Sequence, residues 1–201
     1  MTAENPFTPA SISVDVGEQL AEVAERLRRC TVEVRGEGAG RGSGVVWRPN
    51  GLIVTNAHVA TSSRQTVRLF DGRCFSADLV LREPRYDLAL LQISATGLTA
   101  VEVRDASSLR VGELVFAIGN PVEANGAFTV GVVSARPGPE EVLVRADIRL
   151  APGNSGGPLA DAHGRVVGIN SMVVDGFGVA ISSMAVERCL TLAREAAAEV
   201  A

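Results

Sequence analysis

Ala151-Pro152-Gly153-Asn154-Ser155-Gly156-Gly157-Pro158-Leu159 sets one serine among three glycines, closed on both sides by proline. Glycine lets backbone N–H groups turn inward and lets a second chain approach the backbone closely, which is what an anion-stabilising loop requires. Serine itself is a poor nucleophile, because its free pKa leaves almost no alkoxide at neutral pH; a neighbouring base must take its proton. The meaning of this stretch therefore turns on whether the rest of the chain supplies a base, and in what order.

Only two histidines occur. His58 lies in Thr55-Asn56-Ala57-His58-Val59, directly after the strand-like run GLIVTN, where a rigid element can hold a side chain at a cleft edge. His163 sits between Ala162 and Gly164 in a turn and reads as an exposed polar residue. A third group must orient the imidazole. Asp87, in Tyr86-Asp87-Leu88-Ala89-Leu90-Leu91, stands at the head of a strongly apolar run, a costly place for a carboxylate without a partner. With His58 as donor, Asp87 would fix the tautomer and stabilise the imidazolium formed as Ser155 attacks. The oxyanion site is assigned to Gly153, Asn154 and Ser155, with the N–H groups of Gly153 and Ser155 as donors.

Gly-x-Ser-x-Gly alone also fits the nucleophile elbow of α/β-hydrolases. There, however, the serine precedes its acid and histidine and opens a helix, whereas here the order is His58, Asp87, Ser155 and the succeeding Gly-Gly-Pro-Leu is hostile to a helix. An Asp-His-Ser order fails equally. The remaining order is that of the chymotrypsin-like double barrel.

The flanking texture agrees. From Thr31 onward, eleven short runs rich in β-branched residues are separated by Gly, Pro, Asn and Asp: TVEVR, SGVVW, GLIVTN, QTVRLF, CFSADLVL, LALLQI, ELVFAIG, FTVGVVSA, EVLVRA, RVVGIN and FGVAI. Such spacing indicates a sandwich or barrel rather than a parallel sheet with crossover helices. Asn50-Gly51, Asp71-Gly72 and His163-Gly164 supply hairpin turn chemistry. Glu18–Arg29 puts Leu20, Val23, Ala24 and Leu27 on one helix face, and Met184–Val200 reads as a second helix with Val186, Leu190 and Ala193 inward. Arg136–Glu141 reads as a turn-rich loop. The expected organisation is an extension over 1–17 and one domain over 18–201, with its two halves meeting near 100–112.

With 46% hydrophobic and 21% charged residues the chain is expected to fold, and a net charge of −4 without any basic run argues against a nucleic-acid partner. No stretch resembles a secretory leader and none is apolar enough to span a membrane. Three widely spaced cysteines suit buried, reduced thiols. Together these predict a cytoplasmic protein with no membrane partner, and the chemistry calls for no cofactor and no metal.

Four segments then carry a resemblance: Thr55-Asn56-Ala57-His58-Val59, Tyr86-Asp87-Leu88-Ala89, Ala117-Ile118-Gly119-Asn120-Pro121 and Gly153-Asn154-Ser155-Gly156-Gly157-Pro158-Leu159 are similar to the signature segments of the HtrA (Deg) family of trypsin-like serine proteases. Gly42-Ser43-Gly44, Gly168-Ile169-Asn170 and Gly178-Val179-Ala180-Ile181 extend the likeness over Thr31–Ser183. The resemblance implies an all-β fold of two six-stranded antiparallel β-barrels with the triad in the cleft between them. It also implies a structural role for Asp147 and a homotrimer built through N-terminal aromatics, for which Phe7 is the candidate here. By the same alignment Arg149 and Leu150 lie near the specificity pocket, where Arg149 would favour acidic P1 residues. The family's preference for small aliphatic P1 side chains is the default, with Ser171, Met172 and Val173 as pocket or substrate-strand residues. The chain ends soon after this region, so activation through a C-terminal PDZ domain in cis is not expected.

Three functions fit these residues. One is a serine endopeptidase acting on proteins or peptides, with unfolded proteins the expected substrates. Another is a proteolytically latent chaperone-like or peptide-binding module of the same fold. The third is an esterase, since the triad is indifferent to the leaving group.

Overall fold

The structure, a computed structural model, describes residues 9–36, 41–120, 126–135, 138 and 142–199. Phe7 and most of the Arg136–Glu141 loop lie outside the described residues.

Among the described residues, twelve strands follow one helix and precede another. Helix α1 (Pro9–Cys30) leads into β1 (Thr31–Arg35), β2 (Arg41–Arg48), β3 (Leu52–Thr55), β4 (Arg64–Arg68), β5 (Cys74–Glu83) and β6 (Leu88–Ile93). The second half holds β7 (Leu114–Gly119), β8 (Ala127–Ala135), β9 (Leu143–Asp147), β10 (Pro158–Asp161), β11 (Val166–Val174), β12 (Phe177–Ser182) and α2 (Ser183–Glu199). The strands close into two antiparallel barrels, β1-β2-β3-β6-β5-β4 and β10-β11-β12-β9-β8-β7, so neither leaves an open edge.

Each barrel is filled by alternating side chains. Val32, Val34, Ile53 and Leu91 share one face of the first barrel's strands and pack together, while Val115, Ala117, Val133, Val144, Leu159 and Val167 pack the second. The turn glycines Gly51, Gly72 and Gly164 all have positive φ, as their hairpins require.

Both helices cover barrel surface. Val23 and Leu27 of α1, and Val186 and Leu190 of α2, are buried in the first core cluster. The Trp47 indole N–H donates to Glu187 Oε1 at 3.2 Å, tying β2 to α2. Helix α1 starts nine residues before the expected Glu18, at a proline in the first helical position, where its missing N–H costs nothing. The β-branched run and Gly17 hid this first half, since their weak helix propensity is overridden here.

The strand that sequence pattern missed is β10. It has four residues and begins with Pro158, a residue tolerated at a strand's first position, yet it is buried throughout and pairs with both β7 and β11. Its register places the loop carrying Ser155 at the mouth between the barrels.

Candidate active site

The site is assembled from the ends of strands. His58 comes after β3 in a tight turn in which Val59 and Ala60 N–H groups donate to Asn56 O, and its side chain is half exposed. Asp87 comes after a 3-10 turn, Pro84–Tyr86, and adopts a left-handed conformation (φ 52°, ψ 41°) that Asp tolerates better than most residues. That conformation turns the carboxylate back from β6 toward His58. Buried Asn56 donates from Nδ2 to Asp87 O at 2.9 Å and holds the turn in place.

Asp87 receives three donors. His58 Nδ1 lies 2.9 Å from each carboxylate oxygen, the His58 backbone N–H donates to Oδ1 at 3.1 Å, and the Ser171 hydroxyl donates to Oδ2 at 2.6 Å. A carboxylate can only accept, so the proton must sit on Nδ1, leaving Nε2 free to accept one. Burial would raise the Asp87 carboxyl, but the hydrogen bonds from His58 and Ser171 outweigh it and hold the group below the ordinary carboxylate range.

Ser171 plays a part that strand alternation does not reveal. The β11–β12 register slips between Asn170 and Met172, so Ser171 is the unpaired residue of a bulge. Its hydroxyl is thereby aimed at Asp87, while its carbonyl accepts from Ser155 Oγ at 3.0 Å. Ser171 thus joins Ser155 to Asp87.

In the Ser155 loop, Gly153 has φ 103°. The N–H of Asn154 donates to Ala151 O at 2.9 Å, Gly156 N–H to Asn170 O at 2.8 Å and Gly157 N–H to Asn154 O at 2.9 Å. Among the described residues, the N–H groups of Gly153 and Ser155 have no backbone acceptor. The sequence groups Asn154 with the oxyanion site, but its N–H is spent on the turn.

Beside Ser155 opens a cavity of about 200 Å³ lined by Leu150, Ala151, Pro152, Asn154, Ser171, Met172 and Val173. Leu150, Ser171, Met172 and Val173 all stand where the pocket is expected. Arg149 does not: it is exposed and outside the described lining, because strand-like alternation after β9 buries Ile148 and turns the next side chain outward. Asp147 is exposed at the end of β9, opposite Val132. His163 sits in its turn, with its N–H donating to Asp161.

The model of the trypsin-like peptidase domain matches residues 42–169. The chain belongs to the trypsin-like peptidases. Its relatives are of HtrA type: a probable periplasmic serine endoprotease, DegP-like, of Chlamydia pneumoniae is 37% identical over 145 residues, covering 69% of this chain and 30% of that protein. The mitochondrial serine protease HTRA2 of Drosophila pseudoobscura pseudoobscura is 40% identical over 148 residues, covering 68% and 35%. The chain therefore spans about a third of the length of these curated relatives, at 30% and 35%. A solved structure described as HtrA-type protease AlgW with decapeptide superposes with a TM-score of 0.78 at 27% identity, covering 87% of this chain and 67% of that one.

The expected cytoplasmic location is overturned by these relatives, which are named periplasmic in the bacteria and mitochondrial in the fly. No described helix is long and apolar enough to cross a membrane. Free cysteines are a poor guide to compartment. Cys30 and Cys189 are buried and their thiols are pushed up by burial to about 12 and about 11, which disfavours the reactive thiolate, while Cys74 is exposed.

Proposed function

We propose that this trypsin-like peptidase is a serine endopeptidase in which Ser155 is the nucleophile, His58 the general base and Asp87 the residue that orients it. The observation that carries the reading is the Ser171 bulge, whose carbonyl holds Ser155 Oγ at 3.0 Å and whose hydroxyl holds Asp87 at 2.6 Å beside His58. At rest the Ser155 hydroxyl donates to Ser171. For reaction it turns to His58 Nε2, gives up its proton as Oγ attacks the scissile carbonyl, and the resulting oxyanion is received by the N–H groups of Gly153 and Ser155. The imidazolium then protonates the leaving amine, and water releases the acyl group by the reverse sequence.

The cavity supports a substrate class. Its described lining carries no charged side chain and includes the apolar Leu150, Met172 and Val173, which favours small aliphatic P1 residues and leaves a charged P1 group unpaired. The reading of Arg149 as an acid-selecting residue is not retained. Protein or peptide substrates are proposed on the same basis, and a homotrimer stays a proposal on family likeness.

A fluorophosphonate probe is expected to label the wild type and not Ser155→Ala, and the wild type is expected to cleave casein and peptides with Val or Ala at P1. Absence of labelling on folded wild type would refute the assembled triad. Labelling with ester turnover but no peptide turnover would replace the endopeptidase reading with an esterase.

A further inference from the structure

The Gly42-Ser43-Gly44 segment has no role in the chemistry above, yet Ser43 spends its backbone N–H, its carbonyl and its hydroxyl at or beside the Ser155 loop. Ser43 is fully buried in β2 of the first barrel. Its N–H donates to Ser155 O at 2.8 Å, its hydroxyl donates to Gly153 O at 2.7 Å, and that same hydroxyl accepts from Asn120 N–H at 2.8 Å. Its own carbonyl accepts from the buried hydroxyl of Thr55 at 2.7 Å, which fixes it from the β3 side.

These bonds fix the loop's peptide groups one by one. The Gly153–Asn154 peptide has its carbonyl on Ser43 Oγ and its N–H on Ala151 O. The Asn154–Ser155 peptide has its carbonyl held by Gly157 N–H, and the Ser155–Gly156 peptide is held by Ser43 N–H at one end and Asn170 O at the other. With these planes fixed, the Ser155 N–H, carried by the Asn154–Ser155 peptide, is left without a backbone acceptor among the described residues. Gly153, at φ 103°, is the weak point, since glycine has no Cβ to stop the following peptide, whose carbonyl Ser43 Oγ holds, from turning over. Without the Ser43 hydroxyl, the Gly153 carbonyl keeps only Asn120 N–H at 3.3 Å, a long contact.

We infer that Ser43 is a positioning residue for the oxyanion loop: reaching from the first barrel, its hydroxyl fixes the Gly153–Asn154 peptide and its N–H fixes the Ser155–Gly156 peptide, so that the Asn154–Ser155 peptide between them presents the Ser155 N–H to the reacting carbonyl. This rests on the endopeptidase reading proposed above. Ser43 is buried and absent from the lining of the substrate cavity, so loss of its hydroxyl weakens the transition state and not ground-state binding.

The test is steady-state turnover of a P1-Val peptide by wild type, Ser43→Ala and Ser43→Cys, with inhibition by a matched peptidyl boronate, whose tetrahedral adduct needs the oxyanion donors. Ser43→Ala is expected to lower kcat roughly 10²-fold, the scale of losing one oxyanion donor, with KM within twofold and boronate affinity falling in step with kcat. Ser43→Cys, a weaker donor of similar shape, is expected between the two. The pH profile keeps its midpoint in both, because His58 and Asp87 are untouched. Circular dichroism melts fix an assay temperature at which each variant is folded. At that temperature, kcat within threefold of wild type for both variants overturns the inference, as does a loss that appears in KM alone. Failure of the wild type to turn over peptide overturns the endopeptidase reading instead, so the two failures are distinct.

Discussion

Replacing Asp87 by asparagine exchanges one carboxylate oxygen for an NH2 group and removes one charge, and the geometry fixes the consequence. His58 Nδ1 stands 2.9 Å from both carboxylate oxygens. The His58 backbone N–H can only donate and keeps the amide oxygen at the Oδ1 position, so the NH2 group takes the Oδ2 position and faces Nδ1. An NH2 group cannot accept, so the imidazole answers by presenting the Nδ1 lone pair and carrying its proton on Nε2, the atom that must accept from Ser155. The amide oxygen at the other position still receives the His58 backbone N–H, so the turn survives. The variant is thus expected to melt close to wild type while kcat falls on the order of 10⁴-fold, about 5 kcal/mol of transition-state stabilisation, as in triads where the acid is made an amide. Single-turnover acylation with a chromogenic peptide measures the step directly, with thermal melting as the control. Turnover within tenfold of wild type on a folded Asp87→Asn protein would refute the tautomer argument and Asp87's role with it.

Acid should unfold the protein through a defined set of carboxylates. Burial would raise Glu33 and Asp161, but hydrogen bonds from Arg35 and Arg68 in the one case, and from Arg165 in the other, hold both below the ordinary range; Glu113 is lowered to about 2 by Arg104 and Arg110. Because these groups bind protons more weakly folded than unfolded, their stabilisation is full above the unfolded carboxylate range and is lost as pH falls toward about 2. Urea midpoints between about pH 6 and about pH 2.5 should fall steadily, and a flat profile would contradict the assignment. Gly156→Ala should abolish acylation and lower the melting temperature, since its φ is 84° and an added Cβ would meet Ser43 O and Thr55 Oγ1 of the first barrel; a variant that melts and labels as wild type would mean the two barrels are not in contact there.

What could be read from sequence was what is rare along the chain. Two histidines, one glycine-framed serine and one aspartate at the head of an apolar run suffice to order the triad and exclude competing hydrolase folds. Strand runs of five or more residues declared themselves through β-branched content, but β10 did not, because four residues beginning with proline carry no period. The unread parts depend on tertiary contact. Ser171 looks like one residue of an alternating strand, and only the β11–β12 bulge re-aims it at an aspartate 84 residues away. Asn154 looks like part of the oxyanion site until its turn consumes its N–H. Arg149 looks like a pocket residue until the phase of burial after β9 turns it outward.

Ser43 is the extreme case. Its hydroxyl bonds to a carbonyl 110 residues later, and nothing local distinguishes it from any serine in a strand. The same contact explains why two barrels are needed for one site. The proposed base and acid, His58 and Asp87, come from the first barrel, the proposed nucleophile Ser155 and the Ser171 that joins it to Asp87 come from the second, and Ser43 is the first-barrel group bonded to the second barrel's glycine loop. A site divided in this way is only as well ordered as the contact between its halves, so substitutions at Ser43, Thr55 and Gly156 should act on kcat together and not additively, because each removes part of one clamp. The double variant Ser43→Ala/Thr55→Ala tests this: a loss equal to the product of the single losses would show that the hydroxyls act independently, and a loss little larger than that of Ser43→Ala alone would show one clamp.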